Sequence, residues 1–265
     1  MNNELQSLEL NSFYHCDCLE GIKLIPDDYI DLTVTSPPYD ELRSYEGFNF
    51  NFKETAKQLL RVTKSGGVVV WIVGDATIKG CESLTSFTQA LYFKELGFNV
   101  HDTMIYEKIN PTPMKGNRYQ QSFEYMFILS KGKPKTFNPL KIKKKYMENR
   151  KNKKYNKAVD GKTIEHVYKA NSEMKTIHNI WRYTVGLYNS TSDKIAFQHP
   201  AIFPEKLAED HILSWSNEGD IVLDPFMGSG TVAKMALLNK RKYIGFEVSN
   251  KYIQIANERV EKLKS

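Results

Sequence analysis

The run Gly67-Val-Val-Val-Trp-Ile-Val73 contains no charged residue, so a strand built from it has no face to turn towards water. Such strands lie inside sheets that are covered on both sides, the arrangement of parallel α/β domains. Ile30–Thr35, Ile221-Val222-Leu223 and Tyr243-Ile244-Gly245-Phe246 read the same way, and Phe13-Tyr14-His15-Cys16 reads so more weakly. Phe98–Tyr106 and Tyr125–Leu129 suggest a later, antiparallel pair. Helical spacing falls between these runs, at Phe52–Thr63, Leu84–Leu96, Pro204–Ser214, Thr231–Asn239 and Lys251–Lys262. Ser65-Gly66-Gly67 stops the first of these and Gly97 caps the second. Strands alternating with helices predict an α/β fold with a mixed, mostly parallel sheet.

The rhythm fails between about Gly132 and Ser192, where Lys, Asn and Tyr dominate. Between Lys131 and Arg182 there are sixteen Lys/Arg against four Asp/Glu, while the whole chain carries only +6. A mildly acidic body with one basic segment admits two readings, a contact for a polyanion or a solvated lysine-rich loop. With 265 residues the chain suits one catalytic domain with an insertion. The expected boundaries are 1–131, 132–192 and 193–265. No apolar run is long enough to span a bilayer, and Met1–Leu10 lacks the basic and apolar regions of a signal peptide, so a cytoplasmic protein away from membranes is expected. Cys16, Cys18 and Cys81 have neither the number nor the spacing of a disulfide framework or a zinc site, and no metal is expected.

Two segments carry chemistry. Ser36-Pro37-Pro38-Tyr39 follows the strand Ile30–Thr35, at the strand end where open α/β sheets bind ligands. The prolines contribute no N–H donors, so the Ser36 hydroxyl and the Pro37 carbonyl can act as acceptors beside the flat face of Tyr39. That set suits a planar heterocycle bearing an amino group; the plain alternative is a Pro-Pro turn. Asp224-Pro225-Phe226-Met227-Gly228-Ser229-Gly230-Thr231 lies between a short strand and a helix. Gly228 and Gly230 let the backbone approach a ligand closely, and the helix start offers free N–H groups. The loop lacks the Gly-Lys-Ser/Thr of a phosphate-binding P-loop. Glu247, ending the next strand, is placed to accept from ribose hydroxyls, or is simply a solvated strand-end acid. Asp75, after the strongest strand, faces the same edge and reads as a cofactor contact, a support for the Pro-Pro loop, or a turn residue.

With these motifs the chain resembles the amino-methylating DNA methyltransferases of bacterial restriction–modification systems, over nearly everything outside the insert. Ser36-Pro37-Pro38-Tyr39 is similar to the family's catalytic motif, Asp224–Thr231 to its cofactor loop and Glu247 to its ribose-binding acid. Catalytic motif, insert and cofactor loop follow one another in the permuted order of the beta class. The resemblance implies a Rossmann-like, circularly permuted seven-stranded S-adenosylmethionine-dependent methyltransferase fold. Tyr14–Glu20 is similar to the motif whose Asp lies near the cofactor's adenine, which makes Asp17, with Cys18 beside it, a cofactor candidate; a helix cap is the other reading of Asp17. His199-Pro200-Ala201-Ile202-Phe203-Pro204 is similar to the motif approaching the methionine end, with Phe203 where many members carry lysine.

The reaction so implied is direct methylation of an exocyclic amine on a base flipped from duplex DNA. There is no Pro-Cys dipeptide, which excludes the cysteine route to ring-carbon methylation. Within the family, Ser at position 36 leans towards N4 of cytosine over N6 of adenine. RNA or protein amino-methylation and a non-catalytic DNA-binding module are the rival readings. Lys141, Lys143, Lys144, Lys145, Arg150, Lys151, Lys153 and Lys154 are expected to bind DNA phosphates, and Arg43 to lie near the flipped base's vacancy. A homodimer and a companion restriction endonuclease are compatible with this reading.

Overall fold

The computed structural model describes residues 8–38, 50–113, 116–144, 151–169 and 173–263. In chain order its elements begin with β1 (Ser12–His15), α1 (Cys18–Lys23), β2 (Ile30–Thr35), α2 (Phe52–Val62) and β3 (Thr63–Val73). A short hairpin, β4 (Thr77–Ile78) and β5 (Cys81–Glu82), leads into α3 (Thr85–Leu96), β6 (Asn99–Lys108) and β7 (Phe123–Ser130). Next come β8 (Lys141–Lys143), β9 (Lys151–Lys157), β10 (Thr163–Lys169), β11 (Met174–Thr176) and β12 (Ile180–Tyr183). The chain finishes with a 3-10 turn (Lys194–Gln198), α4 (Glu205–Trp215), β13 (Ile221–Asp224), α5 (Thr231–Leu238), β14 (Lys242–Glu247) and α6 (Asn250–Glu261).

These elements form two compact units, one of residues 1–138 with 179–265 and one of residues 139–178. The larger holds a sheet in the order β1-β14-β13-β2-β3-β7-β6-β12. Only β7 runs against its neighbours; every other pairing in this sheet is parallel. The permutation is visible in that order, because β13 and β14 come last in sequence yet sit between β1 and β2. The expected seven strands are joined by an eighth, β12, which pairs with β6 at the sheet edge. Trp181 and Tyr183 of β12 are buried, so this strand is anchored from within the composition-biased region. The smaller unit is correspondingly narrower than the 132–192 expected from composition. It holds two antiparallel pairs, β9 with β10 and β8 with β11.

The apolar run at 67–73 is buried along its whole length after Gly67, as its lack of polar residues requires. Val69, Trp71 and Val73 join a core with Ile22 of α1, Ala56, Leu59 and Val62 of α2 and Phe93 of α3. Val70 and Ile72 point to the opposite face and are equally buried. Gly97 ends α3 with φ of 114°, and its N–H returns to the Lys94 and Phe93 carbonyls. No helix among the described residues is long and apolar enough to cross a membrane.

Candidate active site

The parallel strands bring their carboxyl ends to one edge of the sheet, where most of the singled-out residues gather. β2 ends at Thr35, so Ser36 and Pro38 emerge half-buried and Pro37 buried. Next to it β13 ends at Asp224. Thr35 Oγ1 donates to Asp224 Oδ1 at 2.7 Å, and the Phe226 N–H donates to the same oxygen at 3.1 Å. Asp224 is fully enclosed: burial lifts its pKa to about 7, against those two hydrogen bonds and with a further push from the charge of Glu247. The start of the Pro-Pro segment and the start of the glycine loop thus share one buried carboxyl group.

The glycine loop bends through two left-handed residues, Gly228 (φ 51°) and Gly230 (φ 76°). A Cβ on Gly228 would lie 2.7 Å from His199 Nε2, and one on Gly230 would lie 2.8 Å from Ala256 Cβ, so neither position has room for a side chain. The Met227 N–H donates to the Phe246 carbonyl at 3.0 Å. Glu247 accepts from the Gly228 N–H at 2.8 Å and the Ser249 N–H at 2.9 Å, so this strand-end acid holds the loop from its far side. His199 stacks edge-on with Tyr252 of α6 at 4.3 Å and its Nδ1 accepts from the Ala201 N–H at 3.1 Å. Pro225, Ser229 and Thr231 are buried, while Phe203 is half-buried. Phe226, also half-buried, meets Phe50 edge to face at 5.0 Å, and both rings lie 6.4 Å from that of Trp71.

Asp17 caps α1, its Oδ1 accepting from the Leu19 N–H at 2.8 Å, so the capping reading describes the local geometry at the end of β1. Cys18 points into the core, 3.8 Å from Thr55 Oγ1, and burial pushes its thiol up to about 12. Asp75 spends both oxygens on the start of α3, accepting from the Ser86 N–H at 2.8 Å and Ser86 Oγ at 2.5 Å. Tyr39 and Arg43 lie outside the described residues, as do Lys145 and Arg150. In the smaller unit Lys141 and Lys143 are exposed on β8, Lys144 is half-buried after it, and Lys151, Lys153 and Lys154 fall on β9. Among the described residues no group of three His, Cys, Asp or Glu is placed to hold a metal ion. A cleft of about 620 Å³ lined by Thr77, Glu82, Asn117, Arg118, Tyr119 and Gln121 contains none of the expected site residues.

Sequence reasoning missed the support behind the glycine loop. Arg259 of α6, with a fully buried side chain, donates to the Ser229 carbonyl at 2.6 Å, Asp193 Oδ2 at 2.9 Å and Glu205 Oε1 at 2.6 Å. Lys234 of α5 reaches the same two carboxylates at 2.8 and 2.7 Å. Burial alone would raise Asp193, but the hydrogen bonds from Lys234 and Arg259 hold its carboxyl below the ordinary range. The signal was a lysine inside the otherwise apolar Thr-Val-Ala-Lys-Met-Ala-Leu-Leu of α5, a position that burial forbids without a partner.

The DNA methylase family model (N6_N4_Mtase) matches residues 30–258. The orphan methyltransferase M.BamHII of Bacillus amyloliquefaciens is 64% identical over 241 residues, covering 89% of this chain and 91% of that protein. The type II methyltransferase M.HinfI of Haemophilus influenzae is 27% identical, with 96% of this chain and 69% of its own length aligned. Among solved structures, the cytosine-N4-specific PvuII DNA methyltransferase shares the fold with a TM-score of 0.68 at 21% identity, over 97% of this chain and 91% of that one. M1.HpyAVI, solved as a complex with SAM, aligns with a TM-score of 0.61 at 25% identity, over 94% of this chain and 98% of that one. The chain belongs to the DNA methylase family, the S-adenosylmethionine-dependent amino-methyltransferases of DNA found in restriction–modification systems.

Proposed function

We propose that this methyltransferase modifies the N4 amino group of cytosine in duplex DNA, on a base flipped into the pocket at Ser36-Pro37-Pro38-Tyr39. The observation that carries the reading is the Thr35–Asp224 hydrogen bond, which puts the Pro-Pro segment and the glycine loop at adjoining strand ends. Cofactor and acceptor base must meet, and this junction is where the chain can bring them together.

The residues fit the cofactor. The loop 225–230 presents backbone with no room for side chains at Gly228 and Gly230, and an acid, Glu247, stands beside it. In this reading the backbone of Asp224–Thr231, with Glu247, holds S-adenosylmethionine, with Asp17 and the backbone of Cys18, whose thiol is turned into the core, towards its adenine and His199 to Phe203 towards its methionine end. When bound, the cofactor supplies an electrophilic methyl group on a sulfonium.

The acceptor side falls to the Pro-Pro segment. An exocyclic amine is a weak nucleophile because its lone pair is delocalised into the ring. The Ser36 hydroxyl and the Pro37 carbonyl accept its hydrogens and favour the pyramidal nitrogen of the transition state. Neither group is a base at neutral pH, so they hold these hydrogens during transfer, and the proton that the methylated, cationic amine then sheds passes to water. Tyr39 stacks on the base. Ser36 favours cytosine over adenine, and the architecture shared with the cytosine-N4-specific PvuII enzyme accommodates that acceptor. N6 of adenine is the second reading.

The basic unit supplies phosphate contacts through Lys141, Lys143, Lys144, Lys145, Arg150, Lys151, Lys153 and Lys154, with Arg43 nearer the base. Methylation of duplexes with the purified chain, followed by mass spectrometry of the nucleosides, decides the base. N4-methylcytosine is expected; N6-methyladenine as sole product overturns the choice.

A further inference from the structure

We propose that Arg259, although it is sealed from solvent, is a positioning residue for S-adenosylmethionine. From the C-terminal helix its guanidinium sets the glycine loop and the stretch 193–205 in the one arrangement that receives the cofactor's methionine end. The inference rests on the assignment of the cofactor to this loop.

Three separate segments meet on this one group. Its Nη1 holds the Ser229 carbonyl at 2.6 Å, with Ser229 Oγ at 3.1 Å and Thr231 Oγ1 at 3.2 Å. Its Nε holds Asp193 Oδ2 at 2.9 Å and its Nη2 holds Glu205 Oε1 at 2.6 Å. Asp193 and Glu205 bracket the stretch that contains His199 and Phe203, so the guanidinium fastens both ends of that stretch and the loop against which it lies. His199, in the middle, fills the space under Gly228. Phe203 offers no charge to a carboxylate, so the proposal gives the methionine end to backbone groups of these two segments, whose placement then decides affinity.

The chemistry of the cluster agrees with a geometric role. Arg259 and Lys234 against Asp193 and Glu205 sum to zero charge, and the Arg259 side chain is 0% exposed. Buried ion clusters of this kind are often no more stabilising than apolar residues of the same volume, so the proposal assigns this one to fixing geometry rather than to stability. A planar fork with five donors can hold three segments at fixed angles; an ammonium cannot.

The test compares Arg259→Lys and Glu205→Gln with the parent, each shown by its thermal transition to be folded at the assay temperature. Calorimetry reads the Kd for S-adenosylmethionine, and amide hydrogen exchange reads segments 199–205 and 226–231 in the cofactor-free chain. In Arg259→Lys, Kd rises about tenfold or more, as expected for loss of charge-assisted hydrogen bonds. Exchange accelerates in both segments, and DNA affinity without cofactor stays within about twofold of the parent, since no phosphate contact is touched. In Glu205→Gln, acceleration is concentrated in 199–205. A folded Arg259→Lys chain with parental Kd and exchange overturns the proposal. If that variant does not fold, parental exchange and Kd in Glu205→Gln overturn it. Gly228→Ala serves as the control on the site itself: if it weakens the cofactor and Arg259→Lys does not, the positioning role alone fails. If neither does, the loop assignment fails with it.

Discussion

Thr35 and Asp224, 189 residues apart in the chain, share a 2.7 Å hydrogen bond at the ends of neighbouring parallel strands. The hydroxyl is buried, as is the carboxyl it serves. Replacing Thr35 with Val keeps the shape and removes the donor. The buried acceptor loses a partner, which costs about 1–3 kcal/mol. Because this hydrogen bond is one of the effects that lower Asp224, its loss raises that group's pKa further. Denaturant unfolding at pH 7 measures the first effect. Unchanged stability would mean that backbone pairing and packing hold the two strand ends together without this side-chain bond.

Asp224 and His211 predict opposite pH dependences. Asp224 is raised to about 7 from an unfolded value of 3.8, so its stabilising contribution is complete below pH 3.8 and disappears as pH rises towards 7. His211, wholly enclosed with its Nε2 3.1 Å from Met126 Sδ, is lowered by burial to about 3 from 6.5. Its contribution is complete above pH 6.5 and is lost as pH falls towards 3. Between about pH 4 and 6.5 the two slopes, each at most about 1.4 kcal/mol per pH unit, cancel. Asp224→Asn, which retains an acceptor oxygen for Thr35 and Phe226, removes one slope. Its stability relative to the parent should therefore climb as pH increases from 4 to 7, and a difference that stays flat would place the carboxyl's pKa near its ordinary value.

Gly228→Ala adds a methyl at φ 51° and 2.7 Å from His199 Nε2. The left-handed backbone alone costs roughly 1–2 kcal/mol for a residue with a Cβ, and the buried imidazole must also move. Gly219 has a similar φ of 86° but nothing within 4 Å of an added Cβ. Gly219→Ala should therefore lose stability by strain alone and bind S-adenosylmethionine as the parent does, whereas Gly228→Ala should lose both stability and cofactor affinity. Thermal melts and calorimetry on the pair separate the two terms. Equal cofactor affinities would remove Gly228 from the site.

The parallel core was readable because burial on both faces leaves an unmistakable composition: Val69 to Val73 could be nothing else. Gly97 marked the end of α3, whereas Ser65-Gly66-Gly67 lies inside β3, which begins at Thr63 directly after α2. β12 was not readable as a strand, although Trp181-Arg182-Tyr183 hints that this part packs, because Ile-Trp-Arg-Tyr alternates across an edge strand and sits in lysine-rich surroundings that hide the pattern. Asp17 and Asp75 illustrate another limit. An acid at a strand end suits a ligand and a helix cap alike, and only the folded chain shows the N–H groups it already accepts from. Of the Arg259 cluster only Lys234 left a signal, as a lysine among apolar residues; its four charges lie on four separate stretches of chain, and nothing in spacing joins Asp193 to Arg259.

Lys141 and Lys143 are exposed on β8, a strand held by pairing with β11, so neutralising them should leave the strand intact. If each meets a DNA phosphate, Lys141→Gln and Lys143→Gln each release one fewer counterion on binding. The slope of log K against log salt should then become shallower by about 0.9 per substitution, and affinity should fall alike on cognate and unrelated duplexes. The methylation rate at saturating DNA should stay at the parental value, since phosphate contacts position the protein without entering the chemical step. Binding titrations at several salt concentrations give the slope. An unchanged slope with both lysines removed would assign the charge of this segment to solubility rather than to DNA.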